Sequence, residues 1–562
     1  MKVRFPFATI TGVVLTTLVA SGMVFWMVDD SEAARHHYHQ LLQMAKPANV
    51  KHESTSYIAK QQREGIQKSL YFMPAKENTL HELRLFASSS ELMLVRKEDS
   101  QISEKLEDFR AMVQESFYYA NPDGKSSLIT DEVAIPMQNI TYLSSETANC
   151  CYTQGTLVAH KGEMTRFILP GRLLIDDLES ANIHPYQSAS AENIHLRYKE
   201  GLLLLDGDVM LDHHEGEDLL QLTCDTACLY EENKAPVVEA KAQVKIVFNY
   251  SLTATGDSAY FEGDEVSLFG DKKENRCLLC SKEGDQIYSD RIQLSLKSRI
   301  VQMQKPAGIL YPVKGEFLPL KFSSHQLLWN HDQNELVLEA DVAIFHPTLG
   351  RLTNQNTVHI FRSEKKENTL EKMISKGHTV LTRHEPQTGR VYTLTCDGNV
   401  VLDHIQGEVF LTAADPVNAP VYLNDEFGKV YADTAKVYYS PSQSRQKAPQ
   451  KIVLQGNVKI MNRNAPAGDA PAVVQMALAD KIELNPATNE MVFFASQRKR
   501  VLFYEESNEL QISAPRLTVR RDRQTRKESF EGDGDVRFSF QDKEITELRK
   551  KFSLPFNKED KP

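Results

Sequence analysis

Asp206-Gly-Asp-Val-Met-Leu-Asp-His213 recurs almost unchanged as Asp397-Gly-Asn-Val-Val-Leu-Asp-His404. Around the first copy, Leu203, Leu205, Val209 and Leu211 share one parity, the alternation of a strand with one buried face. The Gly-Asp or Gly-Asn pair inside each copy permits a left-handed residue or a bulge, so the strand is expected to bend there. Shorter copies of the element are Gly456-Asn-Val-Lys-Ile460 and Gly534-Asp-Val-Arg-Phe538. A second element accompanies it: a small residue, then Asp, Glu or Pro, then alternating apolar positions. Its instances are Ala191-Glu-Asn-Ile-His-Leu196, Ser289-Asp-Arg-Ile-Gln-Leu294, Ala432-Asp-Thr-Ala-Lys-Val437, Ala479-Asp-Lys-Ile-Glu-Leu484 and Ala514-Pro-Arg-Leu-Thr-Val519. One hairpin cannot bury its apolar face, but a stack of repeated hairpins can.

Outside these repeats, alternating runs at 336–345, 430–439, 452–460, 501–504 and 510–519 continue the pattern. The sequence therefore predicts an all-β protein with closely spaced strands. Residues 103–114 are the one stretch that reads as a short helix. Residues 364–376 read as an inserted charged loop within a central region, 301–390, that fits the repeat poorly.

The 562 residues are 41% hydrophobic and 25% charged, an ordinary globular balance. A formal charge of -11 argues against nucleic acid as the partner, because phosphate binding needs a basic surface. The seven cysteines, Cys150, Cys151, Cys224, Cys228, Cys277, Cys280 and Cys396, are odd in number and too few for a disulfide scaffold. Residues 7–28 carry no charge, with Lys2 and Arg4 before them and Asp29 and Asp30 after. That run is long enough to span a bilayer, and the flanking charges place the N-terminus in the cytoplasm. An uncleaved anchor is expected, since the run exceeds a signal-peptide core and no small-x-small site follows. A polar stalk is expected over 29–69 and a charged tail over 546–562.

The alternation of small-Asp strands with Gly-(Asp/Asn)-Val strands resembles the OstA-like domain of the LptC/LptA family of lipopolysaccharide transport proteins. One N-terminal membrane helix before such strands resembles LptC; the repeats themselves resemble LptA. The resemblance implies stacked β-jellyroll units, each an open V-shaped pair of sheets whose interior holds acyl chains. It further implies an LptC-like unit over 70–185 and OstA-like repeat units over 186–300 and 391–545. It implies an inner-membrane protein with its bulk in the periplasm. The implied partners are lipopolysaccharide or lipooligosaccharide and other transport proteins, including an inner-membrane ABC transporter. The chain is much longer than a typical LptC-like protein, which suggests fused units.

The residues expected to line the groove share parity with the repeat valines: Val209, Leu211, Val400, Leu402, Val458, Ile460, Val536 and Phe538. Ile292, Leu294, Ile482 and Leu484 come from the second element. The same residues would equally serve as core in a closed, filled sandwich. That is the competing expectation, a membrane-anchored structural or interaction β-solenoid of the envelope. Physics favours a covered path for lipid: exposing a twelve-carbon chain costs roughly 10 kcal/mol, at about 0.8 kcal/mol per methylene.

Motifs for chemistry are absent from the sequence. There is no Gly-rich phosphate loop, no His-Glu-x-x-His and no Gly-x-Ser-x-Gly. Cys277-Leu-Leu-Cys280 has zinc or redox spacing, but a four-thiolate site would need Cys224 and Cys228 to converge on it. His213 and His404 beside Asp212 and Asp403 read as strand-end polar residues. No enzyme and no cofactor is expected.

Overall fold

The structure, a computed structural model, describes residues 57–74, 80–95, 101–115, 119–120, 126–127, 137–170, 183–232, 235–270, 276–310, 319–346, 350–363, 369–384, 391–424, 428–440, 449–464, 473–506, 510–521 and 528–539. The expected membrane helix at 7–28 and the tail at 546–562 lie outside these. The chain divides into two compact units, Met1–Gln61 with Leu92–Ile102, and Gln62–Glu91 with Ser103–Pro562. Of the first, the described residues are strand ends; the second carries the architecture below.

Among the described residues the protein is all-β and antiparallel. Long strands come first. Leu202–Glu215, Asp218–Glu232, Ala235–Phe248 and Leu252–Glu262 form a meander, each paired with the next. Each pairing skips register near mid-strand, for example between Thr223 and Thr226. The skip coincides with left-handed backbone at Gly207 (φ 80°), Asp208 (46°), Ala242 (61°) and Gln243 (53°). An extra residue at such a bulge sharply bends the strand. Every long strand is thereby split between two sheets. Sheet I takes 202–206, 226–232, 235–241 and 258–262; sheet II takes 209–215, 218–224, 244–248 and 252–255.

After Glu262 the chain delivers the same arrangement in short hairpins that alternate between sheets. Cys277–Ser281 with Gln286–Ser289 extends sheet II, then Arg291–Ser295 with Ile300–Gln304 extends sheet I. Ala307–Leu310 with Leu320–Ser323 returns to sheet II, and Gln326–Asn330 with Glu335–Glu339 to sheet I. The alternation holds through Thr434–Tyr438, after which bent strands Lys451–Asn464 and Val473–Asn485 again join both sheets. Both ladders continue across the expected unit boundaries, with Arg291–Ser295 paired to Ile300–Gln304 and Val391–Cys396 paired to Thr379–His384 and Val421–Asn424.

Register aligns the inner faces. In sheet I, Leu268, Ile292, Met303, Leu327, Leu338 and Val358 lie opposite one another strand by strand. In sheet II the matching row includes Ala254, Leu279, Ile287 and, further on, Phe322, Ile344 and Leu352. These residues belong to one buried apolar cluster that reaches from Ile66 to Ile360. Two smaller clusters follow, one around Val400 and Leu411, one around Val458, Ile482 and Phe493.

Both sequence repeats mark bends, and they stack on one another. The small-Asp element always crosses from sheet II to sheet I, as at Ser289 to Arg291 and Ala432 to Thr434. The Gly element crosses the other way at Gly207, Gly456 and Gly534. Each such glycine lies against the acidic or proline residue of the preceding bend. A Cβ on Gly207 would meet Glu192, on Gly456 Asp433, and on Gly534 Pro515. Gly398 is the exception. There Cys396 belongs to sheet II and Asn399 to sheet I, so the near-identical octapeptides turn in opposite directions.

Three expectations are corrected. Residues 103–114 lie in a strand, Gln101–Glu115. Leu106 and Phe109 mimic helical spacing because the bend at Asp108 (φ 49°) shifts the parity of the strand by one, while Met112 lies on the opposite face, packed with Ile140. The charged stretch at 364–376 includes a strand, Thr369–Lys376, paired with Thr357–Ser363 and Asn399–Asp403. Its alternation was hidden because Ser375 takes an inward, fully buried position opposite Val358 and Val400. The polar stalk gives way to a strand at Tyr57–Phe72, in which Ile66 and Phe72 alone are buried among the described side chains.

Candidate binding groove

The interior between the two sheets changes character along the stack. From Leu205 to Ile360 it is filled: Leu294, Val301, Trp329, Leu336 and Ile360, successive in sheet I, are all buried. Large side chains such as Phe261, Phe322 and Trp329 supply the volume. Further along, the same row reads Val409, Val437, Ile452, Leu484 and Met491, and every member is only half-buried. The facing row in sheet II, Leu381, Leu394, Leu423, Val430 and Ile460, is half-buried as well. Nearer the bends, Val400, Leu411, Ala435, Val458 and Ile482 stay buried. The result is a trough with a closed floor and partly open apolar walls.

Within the filled part lies a narrow crevice, with room for no more than a water-sized group. Ile246, Phe248, Leu252, Ala254 and Leu279 of sheet II face Val266, Leu268, Ile292, Leu294 and Val301 of sheet I across it, every one of them buried.

The edge opposite the bends is crossed by polar bridges. Asn139 Nδ2 donates to Glu231 at 3.0 Å, from sheet II to sheet I. Arg299 donates from Nε and Nη2 to both oxygens of Asp218, at 3.0 and 2.9 Å. Arg362 donates from Nη1 and Nη2 to both oxygens of Asp285, at 2.6 and 2.8 Å. This last pair is the most enclosed, with side chains 5% and 0% exposed. Ser281 Oγ adds a further bond to Asp285 at 2.9 Å. Bidentate charge-assisted pairs are strong and geometrically specific.

From Val209 to Leu484 the predicted lining residues fall on inward-facing registers, whereas Val536 lies between strands. Val209, Leu211, Ile292 and Leu294 are fully packed in the filled part. Val400, Val458 and Ile482 form the trough floor, with Leu402 buried beside them. Ile460, Leu484 and Val536 are half-buried; Phe538 pairs through its backbone with Ile512. The wall residues Leu381, Leu394, Leu423, Val430, Val409, Val437, Ile452 and Met491 were missed. Their signal was present, since the runs 430–439 and 452–460 set the parity and Ile460 and Leu484 are their direct neighbours.

Titratable groups in the interior are structural in character. His213 is buried edge-on against Phe261, with ring centroids 4.7 Å apart. Burial, then the charge of neighbouring His214, lowers its pKa to about 4. His404 Nδ1 lies 3.0 Å from the Tyr439 hydroxyl. Burial and then the charge of Asp403 push that phenol up to about 12. The seven cysteines are all free thiols. Cys224 and Cys277 face inward while Cys228 pairs across sheet I with Leu204 and Glu239, so the four spaced thiols do not converge. Among the described residues no group of His, Cys, Asp or Glu is placed to hold a metal ion.

No protein-family model and no curated protein sequence matches the chain.

Proposed function

We propose that this protein is an envelope carrier of lipopolysaccharide or lipooligosaccharide acyl chains, anchored in the inner membrane through residues 7–28 with its bulk in the periplasm. The observation that carries the reading is the trough. Ten inward apolar residues in two facing rows stay only half-buried along these strands, beyond an interior that is filled from Leu205 to Ile360. A monomeric protein gains by burying such a continuous strip, and a strip left open suits an apolar ligand. Alkyl chains need no directed polar contacts, which fits walls made of Val, Leu, Ile and Met. The sugar head would remain in water at the open edge. The pathway reading adds partners: an ABC transporter of the inner membrane that supplies the lipid, and further transport proteins that receive it.

A second reading, a membrane-anchored structural or interaction β-solenoid, is favoured by the filled interior from Leu205 to Ile360 and by the polar bridges that tie its sheets together. The two readings separate on bound lipid. Full-length protein purified from membranes of cells making lipopolysaccharide is extracted and its lipid weighed by mass spectrometry. The carrier reading expects lipid A species near one per chain, reduced when Val430 and Val437 are both replaced by Asp. Lipid-free protein of unchanged fold would favour the solenoid.

A further inference from the structure

We propose that Arg166, Gln187 and His213 form an oxyanion site at the edge of the interior, suited to a phosphate group, free or carried on a lipid headgroup. The three residues sit on successive strands, Thr156–Pro170, Gln187–Arg197 and Leu202–Glu215, and stand directly opposite one another in register. Each shares the parity of an inward neighbour on its own strand, Met164, Ala189 or Leu211, so all three face the space between the sheets. They are 8%, 0% and 5% exposed. Arg166 Nη1 donates to Gln187 Oε1 at 3.2 Å, which joins the first two side chains. Arg166 Nε, Gln187 Nε2 and both ring nitrogens of His213 are buried and make no hydrogen bond. Two positions along from Arg166 and on the same face, Ile168 is 50% exposed, so the site lies one step inside open water.

This arginine lacks what its counterparts have. Arg299 and Arg362, further along the same edge, each hold both oxygens of a carboxylate. Among the described residues the Arg166 guanidinium holds only a neutral amide oxygen. Glu231, which faces this edge from sheet I, is engaged by Asn139. Glu215 Oε2 stands 3.9 Å from His213 Nε2, beyond hydrogen-bond reach. Tyr186 closes the outer side. Its ring is edge-on to His213, with centroids 6.1 Å apart, and its hydroxyl donates to Asn139 Oδ1 at 3.5 Å. A buried guanidinium and buried N–H groups are costly to leave without an acceptor. Two phosphate oxygens match the guanidinium fork, and the Gln187 amide and one imidazole N–H can serve a third. An alkyl chain offers neither charge nor acceptor, so this site reads a different part of a ligand from the trough walls. For a lipid-borne phosphate the inference rests on the carrier reading; a free ion would bind without it.

The test titrates full-length protein in detergent, by calorimetry, with inorganic phosphate and separately with a short-chain lipid A, with and without its phosphates. The expected result is saturable, phosphate-dependent binding that weakens roughly tenfold in Arg166→Gln and is partly restored in Arg166→Lys. Gln187→Leu removes the free amide at similar volume. It should weaken binding roughly threefold with unaltered melting, and it decides the matter if Arg166→Gln fails to fold. Inorganic phosphate that binds and displaces the lipid marks a free-ion site. Preference for the phosphorylated lipid without binding of inorganic phosphate marks a headgroup site. No phosphate binding together with equal affinity for both lipids overturns the site, as do undiminished affinities in the folded variants. Equal binding of both lipids leaves the carrier reading standing; phosphate binding without lipid binding removes that reading and keeps the site.

Discussion

The carboxylate of Asp433 lies directly over the bare Cα of Gly456. A Cβ there would come within 2.1 Å of Asp433 Oδ2, and the backbone N–H of Asp433 donates to the Gly456 carbonyl at 3.0 Å. Asn457 Nδ2 donates to both oxygens of the same carboxylate at 3.3 and 3.1 Å. Two sequence repeats thus meet as one bend motif. Gly456→Ala adds this clash to a φ of 81° that L side chains avoid. It should destabilise the protein by roughly 2–3 kcal/mol. Gly216→Ala, with φ 62° and open space around it, isolates the conformational part and should cost about 1 kcal/mol. Equal losses in chemical denaturation would mean that the stacking of repeats contributes nothing.

Asp285–Arg362 joins the sheets through a sealed ion pair. Removing one partner, as in Arg362→Met, leaves a buried carboxylate without its counter-charge and should cost about 3–5 kcal/mol. The double variant Asp285→Leu with Arg362→Met removes both charges and should recover most of that loss. A double-mutant cycle in urea gives the coupling; additive losses would show that the two side chains do not act as a pair.

His213 should make the protein acid-sensitive. Its folded pKa is depressed to about 4 from an ordinary 6.5. Between those values the unfolded chain binds a proton that the folded chain rejects. Stability from this group is full above about pH 6.5 and falls as pH drops towards 4, by roughly 3 kcal/mol in all. His213→Phe should flatten that limb of the stability–pH curve, and an unchanged slope would assign it to other groups.

Thiol chemistry should separate the cysteines by depth. Burial pushes Cys150, Cys224, Cys228 and Cys277 up to about 12, so little thiolate exists at neutral pH. Cys151 and Cys280 are the partly exposed pair. Maleimide labelling of native protein followed by peptide mapping should find these two modified first; early labelling of Cys224 or Cys277 would mean that the sheets open readily.

The strands and their bends were legible in the sequence because alternation and Gly-Asp pairs act locally. Val209 and Leu211, or Val458 and Ile460, announce an inner face through their own spacing. The division into two sheets was not legible. It depends on which strand each half pairs with, and Gly207 and Gly398 carry nearly the same octapeptide through opposite turns. Bulges also disguised strands: a one-residue shift at Asp108 gave Leu106 and Phe109 helical spacing. The open trough was hidden for another reason. Leu423 and Leu352 are the same residue type on the same inner face, and their exposure differs because of what faces them across the interior.

The central claim is that the trough holds acyl chains. The most direct measurement places a photocrosslinking amino acid at Val430 on one wall and, separately, at Leu484 on the other, in cells making lipopolysaccharide. The account predicts adducts to that lipid from both positions and none from an outward control at Lys436. A folded, membrane-associated protein that yields no adduct from either wall would contradict it.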